Sequence, residues 1–338
     1  MEALDRGSKD PVEGQVELSA NKKQKLGVAN NSYFQPGPIN ILPLRKMIIE
    51  QRRPPELLVD KVVTIEEVVE LFNLFFQHCH LNAPFLDPDL HTPTAVGARS
   101  GFLFTCICTV ASRYYTKRTD DLYRKCLRSA KKLAYEVMAQ GWKSIEICQG
   151  FLLLANWNQP AERFEEERSW QFSGIAFRIA TDLNLHRKTT AQLPDDVSQE
   201  VRQAYQKEIM NRERTWIFCW IYDRGLANQM GKPVSIARED YIVRNSVNWW
   251  RGDGAISTDV GLSSILGALR IVSRCSEILY SDAASPTGLQ SNLNWPVIMN
   301  AFLTQLDQWR VTWASLFGQS TDSAEQVLRG SFRDFYYS

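Results

Sequence analysis

The sequence carries an apolar period of helical type from about residue 62 onward, and this feature limits the fold more than any other. Thr64-Ile65-Glu66-Glu67 is a capping-box pattern, and an apolar stripe typical of an amphipathic helix follows it. No run of alternating polar and apolar residues, the pattern of a half-buried strand, competes with the helical segments. The sequence therefore predicts an all-α fold, a multi-helix domain. The further helices are predicted at about residues 98–115, 119–139, 144–157, 161–183, 199–230, 258–280 and 294–317.

Local signals place several helix ends. Gly231 suits the left-handed position that follows a helix, and Pro233 prevents that helix from continuing. Four acids fall in the first turns of the helix predicted over residues 161–183, where the helix dipole favours negative charge. These acids are Glu162, Glu165, Glu166 and Glu167. Residues 236–256 are predicted to form a long loop.

The two ends of the chain differ from its middle. Residues 1–60 are predicted to be a flexible tail and linker, because the first 40 residues mix charge, Gly, Asn and Pro without an apolar period. Residues 61–338 then form the helical domain. The segment 330–338 begins a further aromatic-rich helix without an end signal, so the domain is expected to be C-terminally incomplete.

Basic clusters lie in the tail, at Lys22-Lys23-Gln24-Lys25, Arg45-Lys46 and Arg52-Arg53. Such clusters serve as nuclear import signals or DNA-backbone contacts, but short, interrupted ones are more often solvated linker, and that interpretation is favoured. The 39 Lys and Arg against 38 Asp and Glu give a charge of +1, which provides no general attraction to nucleic acid or membrane. No apolar stretch approaches the ~20 residues that a membrane helix needs, so no membrane partner is expected.

Searches for catalytic motifs find little. Gly252-Asp253-Gly254 begins like a dinucleotide fingerprint, but Ser257 stands at the third glycine position. Asp120 and Asp121 supply two acids of a terpenoid-synthase type of magnesium site, yet no second acidic cluster accompanies them. The chain is therefore predicted not to be an enzyme. The alternatives are an all-α enzyme of the terpenoid-synthase type or a helical scaffold, and a scaffold would show a repeat that is not found.

One group of side chains has the chemistry of metal ligands: His78, Cys79, His80 and His91. Residues two apart on a helix point in nearly opposite directions, so His78 and His80 cannot hold one ion within a helix. Histidines at a helix end are the favoured interpretation. The seven cysteines include no CxxC pair and are predicted to be reduced, buried thiols of an intracellular protein.

Two motifs carry the functional signal. The first lies on the helix predicted over residues 161–183 and the turn after it, and the second on the helix that ends before Gly231. Together, and in this order, they resemble the regulatory middle homology region of fungal zinc-cluster transcription factors, over roughly residues 64–338. Asn184 stands where that family usually has Gly, and Lys232 where it has Arg. The first motif comprises Gly174, Ala176, Ala180, Leu183, Leu185, His186 and Arg187, and the second comprises Arg212, Arg214, Trp216, Asp223, Arg224, Gly231 and Pro233.

The resemblance implies a nuclear regulatory domain that controls RNA polymerase II transcription without catalysis. It implies transcription machinery or co-regulators as partners, and a small-molecule effector. Members of the family usually read DNA with an N-terminal six-cysteine cluster that holds two zinc ions. The first cysteine of this chain is Cys79, so no zinc or other cofactor is expected here, and DNA contact is expected only through an upstream domain. The sequence is then a fragment, a truncated gene product or a member that has lost its DNA reader.

The motif residues themselves are interpreted as architecture. The small residues Gly174, Ala176 and Ala180 would let another helix approach closely. Four charged residues of the second motif, from Arg212 to Arg224, would form ion pairs between helices. The alternative is that Arg214, Arg224 and His186 line a pocket for an anionic effector, and the structural interpretation is favoured.

Overall fold

The computed structural model describes residues 54–118, 120–189, 193–194 and 196–317, and every regular element within these ranges is helical. The predicted all-α fold is confirmed. The basic clusters between Lys22 and Arg53 and the segment 330–338 lie outside the described residues.

The described chain opens with two helices, α1 (Glu56–Val59) and α2 (Ile65–Leu74). The capping box predicted before α2 is present, because Thr64 Oγ1 accepts the Glu67 amide at 3.2 Å and the Thr64 amide donates to Glu67 Oε2 at 2.9 Å. Helix α1 falls inside the segment 1–60 assigned to the tail, and its Leu57 is fully buried. The folded part therefore begins before residue 61.

A π-helical turn (Phe75–Cys79) and a 3₁₀ turn (His80–Asn82) follow α2. The range of the helix predicted over residues 98–115 contains the end of α3 (Pro93–Arg99) and the whole of α4 (Gly101–Ala111). The division is local, because Ser100 has an extended backbone and its hydroxyl accepts the Leu103 amide at 3.1 Å, which starts a new helix.

The next three long helices are α5 (Asp120–Ala139), α6 (Ile145–Asn156) and α7 (Ser169–Asp182). The prediction that α7 starts near residue 161 is wrong. A separate 3₁₀ turn covers Phe164–Glu166, and the Glu167 carboxylate accepts the Ser169 amide at 2.6 Å. The four acids therefore precede α7 and do not form its first turns.

Helix α8 (Gln199–Met230) has the predicted extent, and Gly231 follows it with φ 60°. The predicted loop 236–256 instead contains α9 (Tyr241–Arg244) and a 3₁₀ helix (Ser246–Arg251). Asp240 starts α9, because its Oδ1 accepts the amides of Ile242 and Val243 at 2.8 and 3.1 Å.

Helices α10 (Asp259–Leu279) and α11 (Trp295–Phe317) complete the described chain and pack on each other. The main core lies among α2, α4, α6, α7 and α8, and a smaller apolar cluster fills the contact between α10 and α11. In the main core, α6 meets α4 most closely at Gly150, where an added Cβ would lie 2.6 Å from the Phe102 ring. Helix α8 reaches both the core and α10, so it connects the two parts.

Candidate functional site

Helix α8 is buried on all sides through its middle, although that stretch is rich in charge. Arg212, Glu213 and Arg214 are each less than a tenth exposed. A buried charge is stable only when it is paired or hydrogen-bonded. The partners of these side chains therefore define which segments α8 holds in place.

Arg214 joins α8 to α10 through a bidentate ion pair. Its Nε and Nη2 donate to Asp259 Oδ1 and Oδ2 at 2.6 and 2.8 Å, and both side chains are fully buried. Asp259 Oδ2 also accepts the Ile256 amide at 2.9 Å. The Arg214 guanidinium group lies 5.8 Å from the ring centroid of Trp249. One arginine thus fixes the start of α10 and the segment before it.

Asp223 holds the segment that follows α8. Its carboxylate accepts the amides of Ser235 and Ile236 at 2.8–3.0 Å and a hydrogen bond from Arg224 Nη1 at 2.9 Å. Arg224 also stacks over Trp220 at 4.2 Å, and burial lowers its pKa. The ion pair of Asp223 therefore lies within α8, and its contact with another segment is made to backbone amides.

The end of α7 meets α8 at Arg212, whose Nη2 donates to the Leu183 carbonyl at 3.0 Å. The chain turns there at Asn184, which has a left-handed φ of 55°, as expected where the family usually has Gly. The His186 ring then contacts Trp216, with 5.6 Å between centroids. Burial, followed by the charge of Arg187, lowers the pKa of His186. The two sequence motifs therefore meet in space.

The small residues of the first motif divide into two groups. Ala176 and Ala180 are fully buried, and the Cys148 thiol of α6 donates to the Ala176 carbonyl at 3.4 Å. Gly174 does not allow a close helix approach, because an added Cβ would meet only Arg178 Nη1, at 3.4 Å. The glycine that a neighbouring ring requires is Gly150, which belongs to neither sequence motif.

Of the remaining motif residues, Leu185 is buried in the main core, whereas Arg187, Gly231 and Pro233 lie at the surface or at a helix end. Gly231 has open space around its Cα, so the left-handed backbone is the reason for glycine there. Pro233 and Arg187 are exposed. Arg214 and Arg224 turn their charge toward buried carboxylates and not toward solvent.

A buried polar network lies outside both motifs and was not predicted from the sequence. His91 Nδ1 accepts the Asp87 amide at 3.0 Å, and its Nε2 donates to Gln149 Oε1 at 3.1 Å. The Gln149 amide group donates to Asn211 Oδ1 and Thr215 Oγ1 at 2.9 and 3.0 Å. The network joins α8 to α6 and to the segment before α3. Gln149, placed directly before the apolar stretch of α6, was the available signal.

The other candidate ligands have separate surroundings. His78 stacks on Tyr114 at 5.4 Å, and His80 makes an edge contact with Phe76 at 5.4 Å. Asp121 is exposed and pairs with Lys125 at 2.9 Å. In the described ranges, no three His, Cys, Asp or Glu residues come together as a metal site. No helix in those ranges has the length and apolar character needed to cross a membrane.

The buried thiols are poor nucleophiles. Burial raises the pKa of Cys79 and of Cys126 to about 12, and raises that of Cys108 and Cys219 as well. A thiol of high pKa carries little of the reactive thiolate near neutral pH. These four cysteines are therefore expected to pack as buried side chains and not to react as nucleophiles.

A comparison with protein families supplies the identification. The family described as the fungal specific transcription factor domain matches residues 72–310, a range that includes both motifs. The chain belongs to this family. As a fungal specific transcription factor domain, it is a part of transcription factors and not an enzyme.

Several curated relatives of this fungal transcription factor domain are described as transcription factors or transcriptional regulators. The chain is similar to Protein priB of Lentinula edodes, with 26% identity over 75% of this chain and 39% of that protein. It is also similar to the transcriptional activator of proteases prtT of Emericella nidulans, with 23% identity over 65% of this chain and 30% of that protein. The transcriptional regulatory protein SEF1 of Candida albicans shares 25% identity over 59% of this chain and 21% of its own length. The chain thus spans well under half of these relatives. No solved structure matches it.

Proposed function

We propose that this domain is the regulatory part of a nuclear transcription factor that controls RNA polymerase II transcription. In this proposal it restrains a DNA-binding or activation segment of the same protein. A small-molecule effector or a co-regulator relieves that restraint by binding the domain. Two of the relatives named above, which are described as a transcriptional activator and a transcriptional regulatory protein, support the proposal.

The observation that carries it is the use of α8 as a common anchor. Arg212 holds the end of α7, Arg214 holds α10, and Asp223 holds residues 235–236. A displacement of one of these segments must disturb a hydrogen bond made by the same helix. Coupling of this kind, through a contiguous set of packed and paired groups, is one way in which a regulatory domain can transmit a change.

We further propose that specific DNA contact and zinc belong to a six-cysteine cluster that is not part of this chain. The purified chain should then contain no stoichiometric zinc by elemental analysis. Any DNA binding should be weak and should vanish as salt rises to physiological strength, because it would rest on phosphate contacts alone. A sequence preference that survives at that salt would contradict this part of the proposal.

The restraint can be tested in yeast with a reporter gene. The chain is inserted between a heterologous DNA-binding domain and a strong activation domain, and compared with a spacer of equal length. We expect several-fold lower reporter output with the chain at equal protein abundance. Equal output from both fusions would show that the domain does not restrain.

A matched pair of variants separates the role of the anchors from general effects of mutation. Arg212→Lys keeps the charge but removes the planar donor to the Leu183 carbonyl, and it should raise reporter output. Arg310→Lys, at an exposed pair with Asp307, should leave it unchanged. Abundance is measured by immunoblot, so that loss of protein is not mistaken for loss of restraint.

A further inference from the structure

A stripe of side chains, exposed except for the partly buried Lys131, runs along α5. Its members are spaced by four, three, four and three residues, which places them on one face of a helix over about 21 Å. Its first three members are basic. Its last two are apolar but exposed, at 61% for Tyr135 and 37% for Met138. We call this set the α5 stripe. It consists of Arg124, Arg128, Lys131, Tyr135 and Met138.

Among the described residues the cations of the α5 stripe form no ion pair, unlike others on the same helix, and the acid that the charge of Arg124 reaches is Asp121, which is already paired with Lys125. Lys125 pairs with Asp121 at 2.9 Å, and Lys132 pairs with Glu56 at 3.0 Å. Arg124 and Arg128 are exposed and form no ion pair with any residue that the structure describes. A further cation, Arg168, acts on the stripe. Burial, followed by the charge of Arg168, lowers the pKa of Lys131.

The acids that precede Arg168 do not neutralise the cations of the α5 stripe. Glu162, Glu165 and Glu166 precede Arg168 and are exposed, and none pairs with a stripe cation in the described structure. A basic row that continues into exposed aromatic and thioether side chains fits an acidic segment that also carries apolar residues. A nucleic-acid backbone would match the cations but would leave Tyr135 and Met138 without an apolar partner.

This chain contains such a segment. Residues 1–18 hold five acids and two bases, with Leu4, Val12, Val16 and Leu18 among them. Asp10, Glu13 and Glu17 are separated by three and four residues, the reverse of the order that separates Arg124, Arg128 and Lys131.

The position where the described chain begins brings that segment within reach. Pro54 is two residues before Glu56, and Glu56 pairs with Lys132, the neighbour of Lys131 on α5. Glu17 is 37 residues before Pro54. A random coil of that length has a root-mean-square span of roughly 30–36 Å, and α5 itself is about 30 Å long. Docking within one chain also benefits from a high effective concentration.

We propose that the acidic segment at residues 10–17 docks on the α5 stripe. Its carboxylates face Arg124, Arg128 and Lys131, and its valines lie against Tyr135 and Met138. The intervening residues, with the basic clusters at Lys22–Lys25 and Arg45–Arg53, are then closed into a loop that starts and ends beside α5.

The test uses the full chain and a water-soluble carbodiimide, which joins a carboxylate directly to an amine that contacts it. We expect mass spectrometry to detect cross-links from Lys131 to Asp10, Glu13 or Glu17 at about 50 mM salt. Their yield should fall about tenfold at about 500 mM salt, because exposed charges are then screened. Absence of these cross-links from the unmodified chain at low salt would overturn the proposal.

Charge reversal supplies the matched variants. Arg124→Glu/Arg128→Glu should reduce the cross-links about tenfold, and adding Glu13→Lys/Glu17→Lys should restore contact as cross-links between the exchanged side chains. Arg178→Glu/Arg202→Glu changes the charge equally at exposed sites and should leave the yield unchanged. Circular dichroism melting confirms that each variant is folded.

Cross-links that persist in Arg124→Glu/Arg128→Glu would show that the stripe is not the docking site. A loss of affinity for duplex DNA in that variant, with unaltered cross-links, would assign the stripe to phosphate contacts and reject the proposal.

Discussion

Arg214 and Asp259 form a bidentate ion pair in which neither side chain reaches solvent, with N–O distances of 2.6 and 2.8 Å. The two residues are 45 positions apart and belong to different helices, so the pair fixes how α10 lies on α8. Its energetic role depends on burial, because an exposed pair contributes little and a broken buried pair leaves a charge without compensation.

Asp259→Asn should therefore lower the free energy of unfolding by about 3–5 kcal/mol, since the Arg214 charge stays buried without its counterion. Asp307→Asn, in the exposed pair with Arg310, should change it by less than about 1 kcal/mol. Chemical denaturation of both variants measures the difference. Equal, small effects would mean that the pair is open to water.

Asp223→Asn tests the anchor at the end of α8. The substitution removes an acceptor from the amides of Ser235 and Ile236 and leaves the Arg224 guanidinium group without a buried anion. We expect a loss of about 2–4 kcal/mol in the free energy of unfolding. Hydrogen exchange should also accelerate at Ser235 and Ile236. Unchanged exchange at both amides would contradict the assigned contacts.

Stability should fall as pH drops from about 6.5 toward 4. Burial, followed by the charges of Arg214 and His91, lowers the pKa of His80 from the ordinary 6.5 to about 4. The unfolded chain therefore binds the proton first, and the stability held by neutral His80 is complete above pH 6.5 and is lost below it. At pH 5 the loss from this residue is about 2 kcal/mol.

His80→Leu isolates that contribution, because other groups titrate in the same range. The variant should lose less stability than the unmodified chain between about pH 7 and pH 5, by about 2 kcal/mol in the denaturation free energy. A pH dependence identical in the two proteins would place the titration elsewhere.

Two glycines give opposite expectations. Gly150→Ala places a Cβ 2.6 Å from the Phe102 ring and should destabilise the domain by about 1–3 kcal/mol. Gly174→Ala meets only the flexible Arg178 side chain and should stabilise α7 by up to about 1 kcal/mol, because alanine favours the helix. Thermal melting of the two variants compares them directly. A lower melting temperature for Gly174→Ala would instead support the close helix approach that the sequence predicted at Gly174.

Features that depend on a few neighbouring residues could be predicted from the sequence alone. The capping box at Thr64, the left-handed positions at Gly231 and Asn184, and the extent of α8 follow from interactions within one or two turns. The same local rules wrongly placed the acids before α7 in that helix. They do not account for the Glu167 carboxylate, which accepts the Ser169 amide at the start of α7.

The pairing of the charged side chains in the two motifs could not be predicted in this way, because it depends on how the helices pack. The sequence showed that Arg214 and Asp223 are charged residues on a long helix, but the partners are Asp259 on another helix and the amides of residues 235–236. The His91–Gln149 contact spans 58 positions. Such contacts depend on how whole helices pack, because the register of each helix is set by the apolar core it shares with the others. A local pattern cannot specify that register, and the buried polar partners follow from it.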